Sequence, residues 1–322
     1  MAGSHHRAAQ PMSPGVCHGR QRGIALMLVM WVLTLLTVMA VSLTATQRTE
    51  TALTENHVAA ARFRALADAA LAYTALDFMM QSPGTDEETE ATWLPNGQER
   101  RWLFNGIELS IAVFNETSRI NLNLVQAETL ADLLSVLGTP EDEANALAAA
   151  IVDWRDEDDL ALLNGAEDED YERSGAAIGA KDANYTSVEE LRQVLGMSED
   201  IYRRLVPEVT VDGEAATPVE RFASPAVLAA TRGISLEEAV EEVGTRDLTT
   251  VPEATAANAL DRGGPLYRVQ VTERRTDKTG RRMEALIQLN RGQQPPYLVL
   301  WRRYGLSLKD PVYGEADIGE GG

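Results

Sequence analysis

From Ile24 to Gln47 no residue carries a charge, and neither proline nor glycine interrupts residues 24–82 before Pro83-Gly84. As a helix, the uncharged part alone is roughly 36 Å long, against a hydrocarbon core of about 30 Å. The helical pattern continues past Arg48. Phe63, Leu66, Ala70, Tyr73, Leu76 and Met80 come at steps of three and four, with Arg62, Arg64, Asp68 and Asp77 between them. The spacing predicts one helix over 24–82, lipid-soluble in front (24–46) and amphipathic behind (47–82).

Charge orients that helix. Residues 1–23 contain Arg7, Arg20 and Arg22 and no acid, whereas the whole chain has 29 basic and 49 acidic residues and a net charge of −20. Positive residues before the apolar run place the amino end in the cytoplasm and the bulk beyond the membrane. A cleaved secretory signal is the competing reading, but the apolar run exceeds the usual ~7–15 residues and no small-residue cleavage site comes after it. An acidic bulk repels nucleic acid. A single cysteine, Cys17, and four histidines leave little for thiol or zinc chemistry. Hard, oxygen-ligated cations remain, or no chemistry at all.

Beyond the helix, Arg101–Phe104 and Ile107–Phe114 read as strands joined at Asn105-Gly106, a hairpin dipeptide. Tyr267–Thr272, Met283–Leu289 and Tyr297–Trp301 read as three more. Between the two groups lies a helical stretch with an internal repeat. Leu137-Gly138-Thr139-Pro140-Glu141-Asp142 echoes Leu195-Gly196-Met197-Ser198-Glu199-Asp200 and, more weakly, Arg232-Gly233-Ile234-Ser235-Leu236-Glu237. Each predicts a short helix, a glycine just past its end, a Ser/Thr cap and another helix. Ser187-x-x-Glu190 and Ser235-x-x-Glu238 read as capping boxes.

Carboxylates crowd one place in this stretch. Nine of the eighteen residues from 153 to 170 are acidic and Arg155 is the only base, with Trp154, Leu160, Leu162, Leu163 and Tyr171 interleaved and expected to seek burial. The helix capped at Thr139 ends there, where carboxylates oppose its dipole. A Ca²⁺ ion with oxygen ligands would relieve the repulsion, and Asp153, Asp156, Asp158, Asp159, Glu167 and Asp168 are its candidate ligands. A solvated charged loop is the open alternative. The spacing is not that of an EF-hand, because the fifth position from Asp156 is Leu160.

The leader Gln21-Arg22-Gly23, then Ile24-Ala25-Leu26 and the uninterrupted helix, resembles the type IV pilin and pseudopilin family. Ser118–Asn123, Ala150–Asp159, Gly165-Ala166-Glu167-Asp168 with Tyr171, Ser187–Met197 and Val209-Thr210-Val211 look like the K-type minor pseudopilins of type II secretion. The resemblance implies cleavage by a prepilin peptidase between Gly23 and Ile24, with methylation of Ile24. At the fifth mature position, where the family usually carries Glu, stands Leu28, which implies a subunit with no neighbour above it, at the pseudopilus tip. It further implies an α+β, pilin-like fold, a long helix packed on an antiparallel sheet, with a large helical insertion of SAM-like or helix-hairpin-helix-like units. Two structural calcium ions and assembly with I- and J-type minor pseudopilins on an inner-membrane assembly platform are also implied. The stripe Phe63, Leu66, Ala70 and Tyr73 is then the candidate partner face, its plainer alternative being packing on the protein's own sheet.

The implied map is a cytoplasmic leader 1–23, a transmembrane helix 24–46, its amphipathic continuation 47–82, first strands 83–118, a calcium-binding helical insertion 119–262 and final strands with a tail 263–322. The implied function is non-enzymatic: capping the tip of a pseudopilus that exports folded periplasmic proteins. Two other classes are weighed against it: a signal-anchored, calcium-binding adhesion module, and a periplasmic hydrolase working with a carboxylate pair. The hydrolase reading has no Gly-x-Ser-x-Gly, His-Glu-x-x-His or P-loop to rest on.

Overall fold

The computed structural model of the protein describes residues 22–80, 93–246, 262–273 and 280–306. Residues 1–21, the acidic stretch 81–92, and residues 247–261, 274–279 and 307–322 lie outside the described residues. The chain divides into two compact units at Ala61/Arg62.

The first unit is the front of helix α1 (Arg22–Met79). Within it Ala25–Thr44 is long and apolar enough to cross a membrane, and none of it is buried inside the protein. The hydroxyls of Thr34, Thr37 and Thr44 each donate to the carbonyl four residues earlier, so the polar groups of this stretch are satisfied within the helix.

The second unit is α+β. Strand β1 (Arg100–Phe104) turns into β2 (Ile107–Asn115) through Asn105 and Gly106, both at positive φ, as a tight hairpin turn requires. After β2 the chain leaves for the insertion. Its elements in order are β3 (Ile120–Asn121), α2 (Ala127–Val136), α3 (Glu141–Asp153), α4 (Asp168–Ser174), α5 (Glu199–Leu205), β4 (Val209–Thr210), α6 (Pro225–Arg232) and α7 (Leu236–Thr245). It returns as β5 (Leu266–Glu273), β6 (Arg281–Leu289) and β7 (Tyr297–Leu306). The sheet is antiparallel throughout, in the order β1-β2-β5-β6-β7, with Val113 opposite Val269 and Val269 opposite Ala285. Strand pairing thus closes across the insertion.

Alternation along the strands sends Leu109, Ile111, Val113, Val269, Val271, Met283 and Ala285 to one face. The rear of α1 covers that face with Phe63, Leu66, Ala67, Ala70, Leu71 and Phe78, all buried. Each large side chain so buried contributes about 1.5–3 kcal/mol. This corrects the partner-face expectation. Phe63, Leu66 and Ala70 are buried in the protein's own core, and Tyr73 stacks on Trp102 at 5.5 Å. Amphipathic spacing marks a face that needs cover, and here the sheet supplies it.

The insertion has its own core, built on Leu130, Leu134, Leu147, Ile151, Leu191 and Leu205. The repeat is visible in the backbone: Gly138, Gly196 and Gly233 all sit at positive φ. Of the three repeat caps one departs from expectation, whereas Ser198 accepts from Ile201 N–H at the start of α5 as expected. The N-cap of α3 is Pro140, with no side-chain bond, and the hydroxyl of Thr139 is buried without a partner. The Ser187–Glu190 capping box is present but opens a 3₁₀ turn, Val188–Gln193, rather than an α-helix. Ser235 accepts from Glu238 N–H at the start of α7, as expected. A short parallel ladder, β3 with β4, has no counterpart in the strand expectations and closes the insertion at its root.

Candidate metal centre

Helix α3 ends at Asp153, and beyond it the chain winds a loop around that carboxylate. Asp153 is fully buried and accepts from the backbone N–H of Leu162 at 3.2 Å and of Ala166 at 2.8 Å. Asn164 at positive φ and the Gly165 N–H bonded to the Leu162 carbonyl complete the turn that brings Glu167 back. One oxygen each of Asp153, Asp156 and Glu167 then lie within 4.8 Å of one another.

Among the described residues no cation forms a salt bridge with this group, and Arg155 offsets the rise in the Asp156 pKa only in part. Arg155, the single base of the stretch, donates instead to the carbonyls of Leu122 and, at 2.6 Å, Val125. The buried Oδ1 of Asp156 and Oε1 of Glu167 have no hydrogen-bond partner. Burial, then Asp153, Asp156 and Asp182, push the Glu167 carboxyl up to about 7. Burial likewise raises Asp153 and Asp156, in each case with neighbouring carboxylates adding to it. Three acids held close, two with orphaned oxygens, form an all-oxygen set that suits a hard divalent cation and no soft one. The residues present fit calcium.

The other expected ligands are placed differently. Asp158, Asp159 and Asp168 are exposed and outside the group of three. Asp158 accepts from Leu160 N–H, and Asp168 from Ala180 N–H at 3.0 Å. Asp182, which is not among the expected ligands, stands at positive φ and acts electrostatically on both Glu167 and Asp156. A lone Asp before Ala-Asn-Tyr carries no sequence signal of that role. The apolar residues of the stretch divide. Trp154 and Tyr171 are buried, as expected, whereas Leu160, Leu162 and Leu163 are exposed. The loop directs its backbone N–H groups at Asp153, which leaves those leucine side chains outside.

Two glycines permit the approach. A Cβ on Gly165 would overlap Oδ2 of Asp153, and one on Gly179 would overlap Oδ1 of Asp168. Gly165→Ala is therefore expected to displace the Asp153 carboxylate at a cost of about 1–3 kcal/mol. Thermal melts of the variant should show the loss, together with a weaker response to added calcium. An unchanged melt and calcium response would show that Asp153 does not need this approach.

A family model described as Type II secretion system (T2SS), protein K matches residues 107–213, which include all three carboxylates. Type II secretion system protein K of Klebsiella pneumoniae is 33% identical over 210 residues, 59% of this chain and 62% of that protein. Its counterpart in Pseudomonas aeruginosa is 30% identical over 226 residues, 65% of this chain and 68% of that protein. The chain thus covers somewhat under two thirds of the Klebsiella relative and just over two thirds of the Pseudomonas one. Among solved structures, a chain of the GspK-GspI-GspJ complex from the enterotoxigenic Escherichia coli Type 2 Secretion System matches 78% of this chain and 98% of its own length. Its TM-score is 0.55 at 16% identity, a likeness of fold.

Proposed function

The chain belongs to the type II secretion system protein K family, and from that premise we propose that it is a non-enzymatic minor pseudopilin capping the pseudopilus tip and helping to start assembly. The observation that carries the reading is helix α1, which runs unbroken from a lipid-length uncharged front into the turns covering the sheet. A single-pass anchor in the inner membrane, with the bulk in the periplasm, accords with that helix and the basic leader. Leu28 lacks the carboxylate that would hold a neighbour's terminal amine, so recruitment of a subunit above is disfavoured. The structural neighbour's complex supports I- and J-type pseudopilins as partners. With Phe63, Leu66 and Ala70 occupied by the protein's own sheet, contact with those partners falls to other surfaces.

In the same reading, Asp153, Asp156 and Glu167 hold one calcium ion, whose charge would neutralise the buried acids and fix the loop between α3 and α4. Asp158, Asp159 and Asp168 remain the candidates for the second ion that the resemblance implies.

Mass spectrometry of the complex extracted from membranes tests the assignment. The expected result is a mature terminus at an N-methylated Ile24 and one copy of this chain with one each of the I- and J-type subunits. A terminus beyond Ala40, or many copies along the pseudopilus, would overturn it.

A further inference from the structure

The face of the sheet turned away from α1 buries Ala112, Leu266 and Leu286 but also carries polar residues such as Arg268 and Glu284. Between it and the insertion lies a cavity of roughly 710 Å³, within the range of small-ligand sites. Phe114, Phe222 and Trp301 are among its lining residues, and several guanidinium groups line it as well. Its acids are each engaged within the protein. Glu189 pairs with Arg303, Glu284 lies 3.5 Å from Arg268, Asp212 accepts from the Trp301 indole N–H at 3.0 Å, and Glu208 accepts from Ser224.

Arg119 is engaged only loosely, through one long ion pair and the ring of Phe114. Its side chain is only 12% exposed, yet among the described residues it makes no hydrogen bond. Its nearest carboxylate oxygen, Oε2 of Glu116, is 3.7 Å away and already accepts from Arg268 Nε at 2.8 Å. Burial, then Arg268, hold the Arg119 pKa below the usual arginine value, with Glu116, Glu208 and Glu284 pulling the other way. The neighbouring Ser118 is 3% exposed, lines the same cavity, and its hydroxyl has no partner. Buried donors without acceptors are uncommon in folded proteins, and the Ser118 hydroxyl is one of them.

We propose that this cavity binds a carboxylate-bearing ligand, whose charge is received by Arg119 and Ser118 and whose carbon body lies against Phe114, Phe222 and Trp301. A planar, fork-shaped donor matches a carboxylate in two parallel hydrogen bonds. The aromatic lining adds apolar contact that a bare inorganic anion cannot use. The site is distinct from the three carboxylates of the metal centre and does not depend on the proposed place in a pseudopilus.

Calorimetric titration of the full chain in detergent tests this with three probes: glutarate as a free dicarboxylate, an acetylated and amidated Ala-Glu-Ala peptide as a peptidyl carboxylate, and inorganic phosphate. Saturable binding of glutarate or the peptide is expected, with the tighter of the two identifying the source of the carboxylate. Arg119→Gln should weaken that binding about tenfold or more, the worth of a charge-assisted hydrogen bond, and Arg119→Lys by less. Should Arg119→Gln lose its fold, Ser118→Val in an unchanged thermal melt tests the same cavity and is expected to weaken binding severalfold. No saturable binding of either carboxylate at about 10 mM, phosphate binding as tightly as both, or affinity untouched by folded Arg119 and Ser118 variants would each overturn the proposal.

Discussion

Chelating calcium from the fragment that begins at Arg62 is expected to lower its melting temperature by about 5–10 °C, with the loss confined to the helical insertion. A ligand at about a hundred times its dissociation constant stabilises the folded state by about 2.7 kcal/mol, and a domain of this size shifts about 2–4 °C per kcal/mol. The insertion is the part that should respond. Asp153, Asp156 and Glu167 converge within its core, and without a cation they repel across less than 4.8 Å. The five-stranded sheet carries none of the three, so its amide protection should persist in chelator. Acid should mimic the metal in part. Glu167 titrates near 7 in the folded, metal-free protein and near 4.5 as its ordinary value. A raised carboxyl stabilises the fold when protonated, so chelated protein should gain stability as pH falls from 7 toward 4.5 and lose it again as pH rises through 7. Identical melts in chelator and in millimolar calcium would remove the structural role of the site. A chelated protein that weakens on mild acidification would contradict the crowding itself.

Legibility in the residues divides along the range of the interactions. Helix α1 was legible because no breaker interrupts it and its apolar spacing holds from Phe63 to Met80. The five main strands were legible from alternation and from Asn105-Gly106. The crowding of acids between 153 and 170 was legible as composition, but which of them converge was not. That selection is made by the loop, in the bonds from Leu162 and Ala166 to Asp153 and the turn at Asn164. The same turn explains why Leu160 and Leu163 stand exposed where apolar character suggested burial. The stripe at Phe63 showed that a face is covered without showing by what, and the sheet proved to be the cover. Pairs distant along the chain left no local signature at all. Glu116 and Arg268 are 152 residues apart, and nothing near either one announces the other.

That pair carries the second large expected effect. Glu116 comes directly after β2 in a 3₁₀ turn at the root of the insertion and is fully buried. It accepts two bonds from Arg268 of β5, one of them from Nε at 2.8 Å, and one from the Thr210 hydroxyl of β4 at 2.6 Å. One carboxylate therefore joins the five-stranded sheet to the small β3–β4 ladder. Burial would raise its pKa, but Arg268 and Arg119 outweigh burial and hold it below the usual carboxylate value. It is ionised in the folded protein, and its contribution is present above a pH of about 4.5 and lost as pH falls through the depressed folded value. Glu116→Gln keeps the shape and removes the charge, leaving Arg268 and Arg119 buried against each other. Breaking such a pair from one side typically costs about 3–5 kcal/mol, here about 10 °C in melting temperature. Arg268→Gln should cost a similar amount, because it strands Glu116 instead. The double variant should lose clearly less than the two single losses together, with a coupling of about 1 kcal/mol or more in the thermodynamic cycle. Strictly additive losses would mean that the two groups act separately, and that the sheet and the insertion are held together by packing alone.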